Sequence, residues 1–142
     1  VSGDGETAEE TTAQRLARGE AALGRVHGEV GLGYVAQLRA FAPEFADMLV
    51  GFPYGDVYAR PGLDLRARQI ATIAGLTVLG GAEHELTIHI RSALRVGVTR
   101  PEIIEVIMQM AVYGGFPRAL TALGAAKTAF AEVDDAAGTR SV

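Results

Sequence analysis

Glu85 and His89 stand four residues apart in a stretch, Ala82 to Val96, whose Leu86, Ile90, Ala93 and Leu94 recur at helical spacing. On one helix the two side chains lie about 40° apart around the axis and can touch. A carboxylate beside an imidazole favours its protonated form and fixes its tautomer, which provides a proton donor and acceptor near neutral pH. The same spacing also suits an ordinary ion pair on a helix surface, worth about a few tenths of a kcal/mol. The other two histidines make weaker cases. His84 lies about 140° from His89 on the helical wheel and should face solvent or a neighbour. His27 sits in a connection broken by Gly28, Gly31 and Gly33 and reads as a surface residue. Two imidazoles that point apart make a poor metal site, so no metal is expected.

Arg66 and Arg68 are candidates for holding a substrate carboxylate, because a guanidinium binds a carboxylate in a fork of two hydrogen bonds. They are separated by about 200° of helix, so at most one faces the same cavity as His89. Either also suits a surface or an interface near a helix start. Tyr54, Tyr58 and Tyr113 place phenolic hydroxyls beside glycines, where backbone can approach a ligand closely, although structural packing accounts equally for each. Ser92, one turn past His89, lacks the sharp turn and oxyanion donors of a nucleophile.

The elements that must position these groups read as helices throughout, giving an all-α protein of about six helices. Glu6 to Arg25 is rich in good helix formers. A second helix is predicted over Phe41 to Tyr58, with Pro43 in its first turn, and Pro61-Gly62 ends it. Asp64 is an N-cap for a central core helix that carries Leu65, Ile70, Ile73 and Leu76 and stops at Gly80-Gly81. The helix bearing Glu85 and His89 follows, closed by Gly97. Thr99 to Glu102 has the spacing of a capping box for a helix that ends at Gly114-Gly115. The last helix opens at Phe116-Pro117 and runs to about Val133. The reading is one domain over residues 1–142, with flexible tails at about 1–8 and 135–142.

Composition narrows the function classes. The chain has 142 residues, no cysteine and a formal net charge of −4. Disulfides, thiolate metal sites and thiol redox chemistry are thereby excluded, and no basic cluster provides an electrostatic footprint for nucleic acid. Hydrophobic residues make up 49% of the chain and the mean hydropathy is +0.19. The longest apolar run, Ile70 to Ala82, falls short of the about 18 residues that a membrane span needs, so contact between subunits is the expected outlet for this apolar surface. The acidic, polar start carries no signal peptide, and the expected location is cytoplasmic.

Several segments, taken in order, resemble the carboxymuconolactone decarboxylase family. They are Phe52-Pro53-Tyr54-Gly55-Asp56-Val57-Tyr58, the run on through Arg60-Pro61-Gly62-Leu63-Asp64 to Arg68, Glu85-Leu86-Thr87-Ile88-His89, the stretch from Gly97 to Glu105, and Tyr113-Gly114-Gly115-Phe116-Pro117. The resemblance runs from about Phe41 to Phe130. It implies an alkylhydroperoxidase D-like helical protomer that assembles into a ring, commonly a homotrimer or homohexamer, with active sites near subunit contacts. In the thiol-dependent branch a Cys-x-x-Cys pair precedes the histidine. Here Ala82 and Glu85 stand in those places, so that chemistry cannot run. The decarboxylase branch fits the Glu-Leu-x-x-His pattern.

What that branch implies is a cofactor-free loss of carbon dioxide from 4-carboxymuconolactone, in aromatic-compound catabolism. His89 would shuttle the proton, Glu85 would orient it, Arg66 or Arg68 would anchor the carboxylate, and Tyr113 and Tyr58 would line the pocket. Two departures bear on the substrate. Tyr58 stands where decarboxylases of the family usually have tryptophan, and Arg118-Ala119-Leu120 replaces Ala-Ala-Asn. A related enzyme that uses the same proton chemistry for isomerisation or ring closure, and a non-catalytic oligomeric binding protein, are the alternatives.

Overall fold

The computed structural model describes residues 9–139. The expected N-terminal tail, and residues 140–142 of the C-terminal one, lie outside that range. The described residues form six α-helices, one π-helical segment and no strand, so the all-α reading holds. They divide into two compact units, with the boundary between Arg60 and Pro61.

The N-terminal unit holds α1 (Thr12–Phe41), α2 (Pro43–Leu49) and a π-helix (Val50–Tyr58). Helix α1 starts at a capping box between Thr11 and Gln14. It does not run straight. Gly28, at φ 65° and ψ −157°, takes a conformation that side chains with a Cβ rarely adopt. In a straight helix Glu20 and Arg39 would be about 28 Å apart, yet their side chains form an ion pair at 2.9 Å, so α1 folds back on itself at Gly28. Of the three glycines expected to break this region, only Gly28 does so. Gly31 stays helical and lets the two arms meet, since a Cβ there would lie 2.3 Å from the Cβ of His27. Ala22, Leu23, Val35, Val50 and Tyr54 form the core of this unit.

The helix expected over Phe41 to Tyr58 is α2 followed by the π-helix. Pro53 lies inside the latter, where its missing N–H would interrupt an ordinary α-helical ladder. The wider pattern persists to the end, with the Ala59 amide donating to the Tyr54 carbonyl at 3.0 Å. Close approach between α1 and the π-helix depends on Gly19, because a Cβ added there would fall 2.3 Å from the Val50 carbonyl oxygen. Gly19→Ala is expected to cost about 1–3 kcal/mol through overpacking, read as a lower urea midpoint. Gly33→Ala is its control: nothing lies within 4 Å of a Cβ added at that position, and stability should hold or rise slightly.

The C-terminal unit holds α3 (Leu65–Leu79), α4 (Glu83–Arg95), α5 (Arg100–Gly114) and α6 (Phe116–Thr139). Helix α3 packs on α4 and α5, and α6 packs on the same two, which closes a four-helix arrangement. Its starts and stops follow from local chemistry. The Asp64 carboxylate accepts from the Ala67 amide at 2.7 Å, Thr99 and Glu102 form the expected capping box, and Gly80, Gly97 and Gly115 adopt positive φ just past the helix ends. The core joins Ile73, Ile90, Ile103 and Ile107 to a row of alanines on α6, from Ala119 to Ala129. Small side chains there let α6 approach its neighbours closely.

Helix α6 continues to Thr139, beyond the expected end near Val133 and into the segment read as tail. Contacts with neighbouring helices hold the helix around its expected end. Arg100 pairs with Asp134 and lies over the Phe130 ring at 5.0 Å, and Arg91 donates to Glu132 at 2.8 Å. No helix among the described residues is long and apolar enough to cross a membrane.

Candidate active site

Helix α4 buries Leu86, Ile90 and Ala93, which turns the adjacent His89 toward α3. There the His89 Nδ1 lies 3.1 Å from Oε1 of Gln69. Gln69 is fully buried, as few amides are. It sits on the stripe of α3 that also carries Ile73 and Thr77, four and eight residues on. Gln69 was missed in the sequence. The available signal was a polar residue occupying a position that the helical period assigns to the core.

Burial pushes the His89 imidazole down from its ordinary value to about 4. The Glu85 carboxylate pulls the other way but contributes less. This corrects the expectation that Glu85 would keep the ring protonated near neutral pH. Glu85 is exposed, so water screens its field, whereas the imidazole has lost much of its hydration. His89 is therefore uncharged at pH 7. Ser92 is buried and donates to the Ile88 carbonyl at 3.1 Å, as an ordinary helical serine does.

The two arginines separate clearly. Arg66 pairs with Glu102, and its Nε also reaches the Gly97 carbonyl at 3.4 Å. The backbone amide of Thr99, with Arg66 and the Thr99 hydroxyl, holds the Glu102 carboxyl down to about 2. Arg66, on α3, thus braces the start of α5. Arg68 is half-buried, with its Nε screened from solvent.

Tyr113 is 73% exposed on α5, and His84 is exposed as expected. Tyr58 belongs to the N-terminal unit, where its ring lies 5.3 Å from that of Tyr54. His27 is not the surface residue its glycine-rich surroundings suggested. It is helical and half-buried, with Nε2 2.6 Å from the Tyr54 hydroxyl.

An open depression of about 400 Å³ lies where the α3–α4 turn meets the start of α6, lined by Leu79, Gly80, Gly81, Glu83, Arg118 and Thr121, among others. None of the candidate residues lines it. Arg118 donates to the Val78 carbonyl there at 2.7 Å, placing its charge at the C-terminal end of α3. Among the described residues, no three His, Asp or Glu side chains converge as a metal ion would require.

Residues 43–128 match the carboxymuconolactone decarboxylase family. The chain belongs to this family. Without a single cysteine, it falls in the decarboxylase branch and outside the thiol-dependent one. It is 35% identical over 96 residues to 4-carboxymuconolactone decarboxylase of Acinetobacter baylyi, a match that covers 68% of this chain and 71% of the relative. A second relative, an uncharacterized 15.0 kDa protein in the nqo9-nqo10 intergenic region of Paracoccus denitrificans, is 42% identical over 91 residues, covering 63% of this chain and 67% of its own. A third member of this set, nitrosuccinic acid decarboxylase npaB of Metarhizium robertsii, is 38% identical over 77 residues, 54% of this chain and 53% of that one.

Proposed function

We propose that this family member is a cofactor-free decarboxylase that acts on 4-carboxymuconolactone or a similar carboxylated lactone. The observation that carries the reading is the half-buried, uncharged imidazole of His89, one turn past the exposed Glu85 carboxylate on α4 and hydrogen-bonded to the buried Gln69 amide of α3. Two relatives named as decarboxylases support the reaction class.

The chemistry needs a place for the electron pair that departing carbon dioxide leaves behind. In an unsaturated lactone it spreads into the ring carbonyl, and a nitro group can hold one in the same way. The substrate class is therefore a carboxylic acid with its own electron sink. The C–C bond to the carboxylate breaks, carbon dioxide departs, and the carbanion takes one proton from His89, whose resting uncharged ring first picks that proton up at its unprotonated nitrogen. A ring that ionises near 4 holds the proton only transiently at pH 7 and gives it up readily to carbon. Glu85, at the solvent side, relays its replacement from water, so each turnover consumes one proton. The protein orients the acid and stabilises the developing charge.

Arg68, half-buried on α3 and next in sequence to Gln69, is assigned the substrate carboxylate in this reading, while Arg66 braces Glu102. A homo-oligomeric ring completes the proposal. It is supported by the large apolar side chains left exposed on α5 and α6, among them Val112, Phe116 and Leu120. The change to Arg118 and the third relative favour a second reading, in which the electron sink belongs to an acid other than a lactone.

Turnover of 4-carboxymuconolactone, followed by ultraviolet absorbance, tests the proposal. Arg68→Gln should raise KM about tenfold or more with a smaller change in kcat. Arg66→Gln should instead lower the urea midpoint and leave KM near wild type. No turnover by the wild-type protein would remove this substrate, and the reverse pattern for the two arginines would remove the anchor assignment.

A further inference from the structure

We infer that Gln69 is a positioning residue for His89: its carbonyl oxygen fixes the hydrogen on Nδ1, which makes Nε2 the ring nitrogen that exchanges the reacting proton. The inference rests on the decarboxylase reading for its consequence in catalysis, but the hydrogen-bond assignment stands apart from it.

The position calls for explanation on physical grounds. Gln69 has no exposed surface, and its stripe on α3 is otherwise a core stripe containing the fully buried Ile73. Leucine or methionine would fill the place with no polar group to satisfy. A buried amide must instead recover its lost hydration through hydrogen bonds. The bond it makes on α4 goes to His89, twenty residues away along the chain.

That bond decides the tautomer. A neutral imidazole has one N–H donor and one lone-pair nitrogen. The group 3.1 Å from Nδ1 is Oε1, and a carbonyl oxygen only accepts, so Nδ1 carries the hydrogen. In water a histidine side chain prefers the opposite arrangement, with hydrogen on Nε2. Gln69 therefore reverses the intrinsic preference and gives His89 a ring nitrogen ready to take up a proton and return it to carbon. Without the amide, most molecules would hold the hydrogen on Nε2 and would have to change tautomer before accepting a proton there. A hydrogen bond of ordinary net strength biases such an equilibrium by about tenfold.

Nitrogen NMR of the full-length protein, ¹⁵N-labelled at histidine and observed at pH 7, tests this directly. The expected spectrum has a protonated Nδ1 and an unprotonated Nε2 for His89. In Gln69→Met the ring should shift toward the Nε2–H form, and kcat on 4-carboxymuconolactone should fall about tenfold with KM within about twofold of wild type. Gln69→Glu, whose carboxylate also accepts from Nδ1–H, should restore the wild-type tautomer and most of kcat. A protonated Nε2 in the wild-type protein would overturn the inference even if every variant failed to fold. So would a Gln69→Met protein that keeps the wild-type tautomer, or one whose only change is a lower melting temperature. Should the wild type lack turnover while the NMR result holds, the decarboxylase reading falls and the positioning role of Gln69 survives.

Discussion

His89→Ala is expected to lower kcat on a carboxylated lactone by about 10²- to 10⁴-fold, the range that a positioned acid–base group contributes, with a much smaller change in KM. The effect is large because His89 is the group that carries the proton to carbon in the proposed reaction, and an acid of this strength is not replaced by bulk water at the same geometry. The alanine variant has a second consequence that must be kept apart from catalysis. It leaves the buried Gln69 carbonyl without the donor 3.1 Å away, at a cost of about 1–3 kcal/mol in stability. His89→Asn separates the two effects. Its amide N–H can donate toward Gln69 from near the place of Nδ1, yet it has no group that ionises between pH 4 and 7. The asparagine variant should fold at close to wild-type stability and remain as inactive as the alanine variant. Single-turnover rates and urea midpoints, measured on both proteins, check this. Undiminished turnover in a folded asparagine variant would end the role proposed for the imidazole.

Acid should weaken the fold in two stages, and His89 sets the first. Its native value lies near 4 because burial disfavours the charged ring, whereas in the unfolded chain it returns to about 6.5. Between those values the unfolded chain binds the proton and the native protein does not, so stability rises with pH across this window. His89 imposes no penalty above about 6.5. As pH falls to about 4 the native state loses about 3 kcal/mol relative to the unfolded one, and below that this group adds nothing more. The second stage belongs to the carboxylates. Glu102 is held down to about 2 by the Thr99 amide and Arg66, and Asp56 and Asp134 are lowered chiefly by hydrogen bonds from Arg15 and Arg100. Their contributions are present at neutral pH and fade as pH falls through their native values. Urea midpoints taken from pH 7.5 to about 2 should decline first in the His89 window. In His89→Asn that early decline should vanish while the later one remains. An early decline that persists in the variant would assign it to another group.

The parts of this protein that its sequence determined by itself are those whose partners lie within one helical turn. Asp64 caps α3 through the amide of Ala67, Thr99 and Glu102 close a capping box, and glycines at 80, 97 and 115 end helices. All of these bonds and turns join residues a few positions apart, so spacing and residue type suffice to read them. The succession of motifs identified the family for the same reason, being linear in the chain.

Tertiary structure alone decided what depends on partners far along the chain or on relative burial. Gly28, Gly31 and Gly33 look alike in sequence, but only Gly28 turns the chain, because the arms of α1 pack against each other at that one place. His27 finds Tyr54, Arg66 finds Glu102 and Gln69 finds His89 across separations of 27, 36 and 20 residues. Spacing put Glu85 beside His89, but it did not reveal which influence on the imidazole would prevail. That balance was set by which of the two groups the packing of α4 left in water: the carboxylate stayed exposed while the ring was half-buried, so desolvation outweighed the neighbouring charge.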